Sequence, residues 1–479
     1  MARRALHAGK PIVALKIGRS ELASHTAQAH TGALVGDDNV IDAAFRQLGV
    51  VRVRSLEDLI ITAGLLAEYG PLPGRRLGVV TPSGGASEII ADRAEDEGLE
   101  LPPFAPETVA KLKAIVPPFA SVQNPLDVTG YVLVDRTLLG QALEAVATDP
   151  GIDAVVLLSE PPKVPPPDPA ATLALYSAYA KRIAESPVPV VVVSNVLTDV
   201  SPFAREVQQK TGYPYVLGGI EHGMQAIGAA VRWSEAYRRA VRGETRARVR
   251  HPVTVASSSV AGATGLWAEH RAAALLAEAG LPVVPATLVH DEDAAAEAAE
   301  RYGYPVVVKA AAEGLGHKSD IGGVRLGLTG AEQVREAFRQ VTAAAGGQAD
   351  GPVGALVQPQ RTGGVELLVG IVRDPAWGLT LAVGLGGIWV EVLRDTALRI
   401  LPVDAAEVRR ALGELRGAAV FRGLRGTEPV DVDTVSEVVA RIAAFAESLG
   451  DRLEALEINP LLVTGSRVEA LDALITWRG

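Results

Sequence analysis

The stretch RLGVVTPSGGASEIIADRAEDEGLEL, residues 76–101, reads as a buried strand, a tight glycine turn and a helix. The same alternation continues downstream. GIDAVVLLSE (151–160) is followed by a proline-rich loop, PPKVPPPDP (161–169), a helix, and a second apolar run, VPVVVVSN (188–195). A last strand and helix lie in YVLGGIEHGMQAIGAAVRWSEAYRRAV (215–241). Strands that alternate with helices predict a doubly wound parallel sheet, because a parallel connection needs a crossover helix.

Upstream, KPIVALKIG (10–18) has the continuous β-branched run of a strand buried on both faces, and DAAFRQLGVVRV (42–53) and SLEDLIITAGLLAEYG (55–70) read as two helical patterns. This opening piece is too small for a domain. ARRALHAG (2–9) resembles a helix tail without its start, so we expect further structure before it, on another chain or in a longer form. Downstream, RGETRARVRHPVTVASSSVAGATG lacks an apolar period and places a linker at 242–262. Beyond it, residues 266–328 give helix, strand, helix, a strand ending in lysine, a glycine-rich loop and a strand. GALVQPQRTGGVELLVGIVRD (354–374) and LEALEINPLLVTGSRVEALDALI (453–475) are strand-rich, which predicts an α+β domain of antiparallel character.

A chain of 479 residues has room for two to four domains, and 48% hydrophobic with 21% charged residues is a globular composition. The net charge of -10 and 4% aromatic content speak against nucleic acid and anionic membrane surfaces, which want clustered cations or stacking rings. With no cysteine, disulfides, thiolate metal sites and a cysteine nucleophile are excluded together. No signal-peptide pattern opens the sequence, and the cytoplasm is the expected location.

Several residues could carry chemistry. Lys309 closes YPVVVK, where a strand can point one ammonium at a phosphate. GHKSDIGGV adds His317, Lys318, Ser319 and a glycine pair, either a loop over phosphates or an ordinary capped turn. Glu457, Asn459 and Asp472 fall on two expected neighbouring strands and offer the oxygen donors that suit magnesium. In PSGGASEII, Ser83, Gly84 and Gly85 open a helix whose free amides can cradle a phosphate. Asn124 and Asp127 of NPLDVTG read as turn formers. SHTAQAHTGAL (24–34) holds His25 and His30, each followed by threonine.

YPVVVK, GHKSDIGGVRLGL, GLGGIWVEVL and EINPL with ALDALI resemble the ATP-grasp part of the ADP-forming acyl-CoA synthetases, the acetate-CoA ligase family and relatives of succinyl-CoA synthetase. KPIVALKIGRSE with AHTGAL, VVTPSGGASEIIADRAEDEGLEL and NPLDVTG are similar to their other region, so the likeness spans almost the whole chain. It implies a multidomain α/β fold, a flavodoxin-like doubly wound parallel sheet followed by an ATP-grasp domain. The implied division is a flavodoxin-domain remnant at 1–72, a second flavodoxin-like ligase-CoA domain at 73–241, and the ATP-grasp domain at 263–479.

The resemblance also implies roles. His30, the histidine followed by Thr31 and Gly32, would be phosphorylated, with His317 a second phosphoryl carrier and His25 only a neighbour. Lys309, Lys318, Gln358 and Glu366 would hold ATP or ADP, and Asn459 and Asp472, with Glu457 alongside, would hold Mg2+. Pro359 stands where the family usually carries an acidic residue. The implied reaction joins acyl-CoA, ADP and phosphate to acid, ATP and CoA, forming or breaking a carbon–sulfur bond. A neutral imidazole suits it as a nucleophile that splits one phosphoryl transfer into two. The family's CoA-binding domain and most of its following flavodoxin-like domain are not found here, so a homo-oligomer or a partner chain supplying them is expected. The alternatives are a non-catalytic nucleotide-binding regulatory module and an ATP-grasp carboxylate-amine ligase, the latter with no use for His30.

Overall fold

A computed structural model describes residues 1–19, 37–243, 256–315, 318–347, 351–387, 395–423 and 428–479. The chain forms two units, Met1–Ala33 with Leu48–Arg246, and Leu34–Gln47 with Ala247–Gly479. His25, His30 and His317 lie outside the described residues, as does the stretch 388–394 of GLGGIWVEVL.

The first elements are α1 (Ala2–His7), β1 (Ile12–Leu15), α2 (Asp38–Leu48), β2 (Val50–Val53) and α3 (Leu56–Tyr69). β1 and β2 pair in parallel with Ile12 opposite Val50. Two expectations change here. β1 is half-buried along its length, and among the described residues it pairs with one strand only. The helical pattern read over 42–53 stops at Leu48. Gly49 takes φ +69, and a Cβ there would lie 2.7 Å from Leu6, so the helix ends and the chain turns into β2. Leu6, Val51, Val53 and Leu65 share one core with Leu77, Ile90 and Met224, so these elements pack as part of the sheet that follows.

The rest of the first unit runs β3 (Leu77–Thr81), α4 (Gly84–Asp96), α5 (Pro106–Ile115), β4 (Leu126–Asp127), α6 (Leu138–Ala147), β5 (Ala154–Leu158), α7 (Pro169–Ala184), β6 (Val190–Val193), α8 (Pro202–Thr211), β7 (Val216–Leu217) and α9 (Ile220–Val241). The strands pair in parallel in the order β4-β3-β5-β6-β7, the flavodoxin-like arrangement. Alternation along each strand feeds two cores. Val156 and Val191 face one helical layer, Val155 and Val192 the other, which is why these strands read as unbroken apolar runs.

The second unit continues with β8 (Gly265–Trp267), α10 (Glu269–Glu278), β9 (Thr287–Val289), α11 (Glu292–Tyr302), β10 (Val306–Ala311), β11 (Val324–Leu328), α12 (Ala331–Ala345), β12 (Gly354–Pro359), β13 (Val365–Asp374), β14 (Gly378–Leu385), β15 (Thr396–Ile400), α13 (Ala405–Gly413), α14 (Val432–Ser448), β16 (Leu453–Thr464), β17 (Arg467–Ala470) and β18 (Ala473–Trp477). Two antiparallel sheets result, four strands in the order β11-β10-β12-β9 and seven along β15-β14-β13-β16-β18-β8 with β17 paired to β16. Each sheet has a separate core against its own helices. In the smaller sheet Val306, Val308, Ala355 and Val357 enter that core, so the period of two turns Lys309, Leu356 and Gln358 to the opposite face. Gln47 of α2 belongs to this unit. Its amide donates to Ile400 O and accepts from Ile400 N, both at 2.8 Å, covering the edge of β15.

Candidate nucleotide site

The sequence puts Lys309 at a strand end; it lies instead within β10, paired across to Leu356, and is 6% exposed. Burying an ammonium requires compensating anions and acceptors. The Lys309 Nζ donates to Glu269 Oε1 at 2.9 Å, to Leu471 O at 2.7 Å and to Asp472 Oδ2 at 3.3 Å. Lys318, 5% exposed, donates to the other oxygen of Glu269 and to Asp472 Oδ1 and Oδ2 at 3.2 and 3.1 Å. Two ammoniums and two carboxylates thus form a ring of zero net charge, buried except at Asp472, whose side chain is 21% exposed. Burial alone would push the Asp472 carboxyl up, but the two ammoniums outweigh it and hold the group below the usual carboxylate range. Burial likewise works against the Lys318 ammonium, and Glu269 and Asp472 overcome it, raising its pKa above the ordinary lysine value.

Local sequence explains how each member arrives. Glu269 is the first residue of α10, where the helix dipole favours an anion. The glycine pair of the KSDIGG turn has a steric task. Gly323 N donates to Lys318 O at 2.8 Å, and a Cβ on Gly323 would sit 3.0 Å from that oxygen. Asp472 sits in the turn between β17 and β18 rather than on a strand, and its carbonyl accepts from Asn459 N at 3.3 Å. Asn459 in turn donates through Nδ2 to Glu457 Oε1 at 3.4 Å, both residues on β16.

A cavity of about 380 Å³ opens beside the ring. Its walls are mainly apolar, with Ala273 and Ala277 of α10, Val283, Val284 and Leu356, and its polar groups include Glu269, Asp472, Gln358 and His270. Gln358 is 3% exposed; its Nε2 reaches Leu471 O at 3.5 Å, and its Oε1 is buried without a partner. His270 Nδ1 is also buried and unpartnered, and burial lowers the imidazole pKa. Lys309 and Lys318 do not line the cavity themselves and lie behind its Glu269 and Asp472 carboxylates, so an apolar slot with orphaned polar atoms at its wall and two ammoniums one side chain away has the character of a site for a flat heterocycle carrying phosphates. Lys309, Lys318, Gln358 and Asp472 are therefore brought together, with Asn459 and Glu457 one strand away. Glu366 is exposed on β13 beside Gly386, whose N donates to Glu366 O at 2.7 Å, and it does not line the cavity.

Glu269 and His270 carry almost no mark in the sequence. The only local signal is an acidic residue at a helix start, which ordinarily marks a dipole interaction and nothing more.

In the first unit, Ser83 caps α4 by accepting from Ala86 N at 3.4 Å, with Gly84 and Gly85 exposed at the helix start. Asp127 forms the expected turn, accepting from Thr129 N at 2.7 Å. Asn124 does more than turn the chain. It accepts from Val79 N at 3.0 Å and donates to Leu77 O and Pro102 O at 2.8 and 2.9 Å, stitching β3 to its neighbours.

Three family models match in sequence order: a succinyl-CoA ligase like flavodoxin domain over residues 1–66, a ligase-CoA domain over 77–241 and an ATP-grasp domain over 260–476. A trans-feruloyl-CoA synthase from an unknown prokaryotic organism is 31% identical over 99% of this chain and 66% of its own length. The ADP-forming acetate–CoA ligase I of Archaeoglobus fulgidus is 29% identical over 97% of this chain and 65% of its own. The chain belongs to the ADP-forming acyl-CoA synthetase family. It spans about two-thirds of the length of these family relatives. A solved acetyl-coenzyme A synthetase 1 chain from Candidatus Korarchaeum cryptofilum is 31% identical, covering 45% of this chain and 94% of that one with a TM-score of 0.43. Among the described residues no helix is long and apolar enough to cross a membrane, and no three His, Cys, Asp or Glu residues gather as a metal cluster.

Proposed function

We propose that this chain is the nucleotide-binding and phosphoryl-carrying part of an ADP-forming acyl-CoA synthetase, interconverting acyl-CoA, ADP and phosphate with a carboxylic acid, ATP and CoA. The observation that supports this most is the ring of Lys309, Lys318, Glu269 and Asp472, whose two carboxylates line an apolar cavity. In this reading Lys309 and Lys318 bind nucleotide phosphates and Gln358 meets the base in the apolar slot; Glu366, exposed on β13 of the other sheet and off the cavity, has no part in it.

The donor set fits magnesium. That ion is commonly held by one or two carboxylates plus substrate phosphates, and Asp472, Glu457 and Asn459 offer hard oxygens on adjoining backbone, with Asp472 kept ionised by its lysines. When bound, the ion supplies charge neutralisation for the phosphates. Ser83, Gly84 and Gly85 present helix-start amides to the phosphate carried by His30. Acyl-CoA and phosphate give acyl phosphate and CoA. A ring nitrogen of His30 then forms a P–N bond as the P–O bond to the carboxylate breaks, and the phosphoryl group passes through His317 to the terminal oxygen of ADP. We assign 1–72 and 73–241 to the acyl-side domains and 263–479 to the nucleotide domain, with CoA held on a partner chain or on further sequence.

Incubation with γ-labelled ATP and Mg2+ tests the carrier. Acid-labile label on His317 and His30 is expected. Absence of label, or label that survives in the protein with both histidines changed to alanine, would end the proposal.

A further inference from the structure

The lysines assigned to the phosphates have no donor to spare. All three hydrogens of the Lys309 ammonium are matched, by Glu269 Oε1, Leu471 O and Asp472 Oδ2, and Lys318 is held between the same two carboxylates. A phosphate can reach either ammonium only by displacing an acceptor already bonded to it, a carboxylate in every case except Leu471 O on Lys309. The two carboxylates differ. Asp472 adjoins Asn459 and Glu457, so a divalent cation can draw it away. Glu269 has a side chain only 4% exposed and spans the site, one oxygen on each lysine, as two oxygens of a phosphate would.

We infer that Glu269 is a built-in stand-in for the nucleotide phosphate, which engages both lysines and makes nucleotide capture depend on a divalent cation at Asp472. The inference rests on the nucleotide reading of this site. The charge count gives the logic. A nucleoside diphosphate arriving alone brings several negative charges to a ring that is already neutral, and it must compete with the buried Glu269 and the partly exposed Asp472. With a cation on Asp472 the lysines lose one counter-charge and can turn to the phosphates. Neutralising Glu269 has the same electrostatic effect without any cation, since the ring then carries one net positive charge facing the cavity.

The test is isothermal titration of the full chain with ADP, in EDTA and in Mg2+. Wild type is expected to bind well only with Mg2+. Glu269→Gln should tighten binding in EDTA at least tenfold, equivalent to about 1.4 kcal/mol, while changing the Mg2+ value less than threefold. Adding Lys318→Met to that variant restores a neutral ring of Lys309 and Asp472, and the EDTA affinity should fall back. If Glu269→Gln weakens ADP equally in both conditions, Glu269 only orients the lysines and the inference is overturned; no change in either condition overturns it too. Wild type that binds no ADP even with Mg2+ would instead remove the nucleotide reading itself. Should Glu269→Gln fail to fold, Glu269→Asp keeps the charge but is one methylene too short to span both ammoniums. It should tighten EDTA binding at least threefold, and an unchanged ratio of the two affinities there refutes the stand-in role.

Discussion

Changing Lys309 to methionine should destabilise the second unit far more than a lysine substitution usually does. In most proteins such a change at the surface stays within about 0.5 kcal/mol. Here it removes the partner of Glu269 at 2.9 Å and of Leu471 O at 2.7 Å, and leaves two carboxylates sharing Lys318 inside the protein. Breaking a buried pair by deleting one member costs about 3–5 kcal/mol, because the survivor keeps its desolvation penalty. For a unit of this size each kcal/mol moves the melting temperature by roughly 2–4 °C, so the transition should drop by about 6–20 °C. Calorimetry is the suitable assay, since two units need not unfold together. The charge-matched double variant, Lys309→Met with Glu269→Gln, leaves a neutral Lys318–Asp472 pair and should recover at least about 2 kcal/mol relative to the sum of the single changes. If Lys309→Met melts within about 3 °C of wild type, or if the two changes simply add, the ring is not an electrostatic unit and the reasoning fails.

The ring also fixes a pH window. Asp472 has a lowered folded pKa, so its stabilisation is present above the ordinary value of 3.8 and is lost as pH falls through the lower folded value. Lys318 has a raised one, so its share is present below 10.5 and is lost as pH rises through the higher folded value. The stability gap between wild type and the Lys318→Met, Asp472→Asn double variant should be flat from about pH 5 to 9 and shrink outside it; a slope near pH 7 in urea titrations would contradict this. Gly323→Ala forces a Cβ to 3.0 Å from Lys318 O and should cost about 1–3 kcal/mol while weakening ADP binding, read by melting and titration together. Asn124→Ala strands Val79 N and Leu77 O and should cost the first unit about 2–4 kcal/mol in denaturant unfolding; a cost under about 1 kcal/mol would show that water replaces the amide. Gln47→Ala removes both bonds to Ile400 and should expose the β15 edge, detectable as faster aggregation on warming at unchanged activity.

Much of the fold is legible in the sequence because its strands carry their burial in their composition. VVVV at 190–193 lies in a parallel sheet covered on both faces, and no alternation is needed to recognise it. The failures have a common physical origin. The run at 12–15 is also wholly apolar, but among the described residues it pairs with one strand and stays half-buried, since how far a strand is covered depends on residues far away in sequence. The helix end at Leu48 is hidden for a related reason: Gly49, rather than any change in hydrophobic period, sets it.

The site divides along the same line. Lys309, Lys318, Gln358 and Asp472 sit in recognisable motifs; the structure places Gln358 and Asp472 on one cavity wall and the two lysines behind it, paired to Asp472. Glu269 does not, because its importance is a sum over partners that lie 40 and 49 residues away. A sequence shows two lysines and an aspartate and leaves one positive charge over; a protein interior does not tolerate that remainder. Counting charge over the candidate phosphate residues therefore predicts that a further buried carboxylate completes the set. The strength of that demand follows from the burial of the lysines, 6% and 5% exposed, since exposed ammoniums would be satisfied by water. It also explains why the fourth member is a carboxylate at a helix start. There the helix dipole favours an anion, which suits Glu269 to the task of countering both lysines.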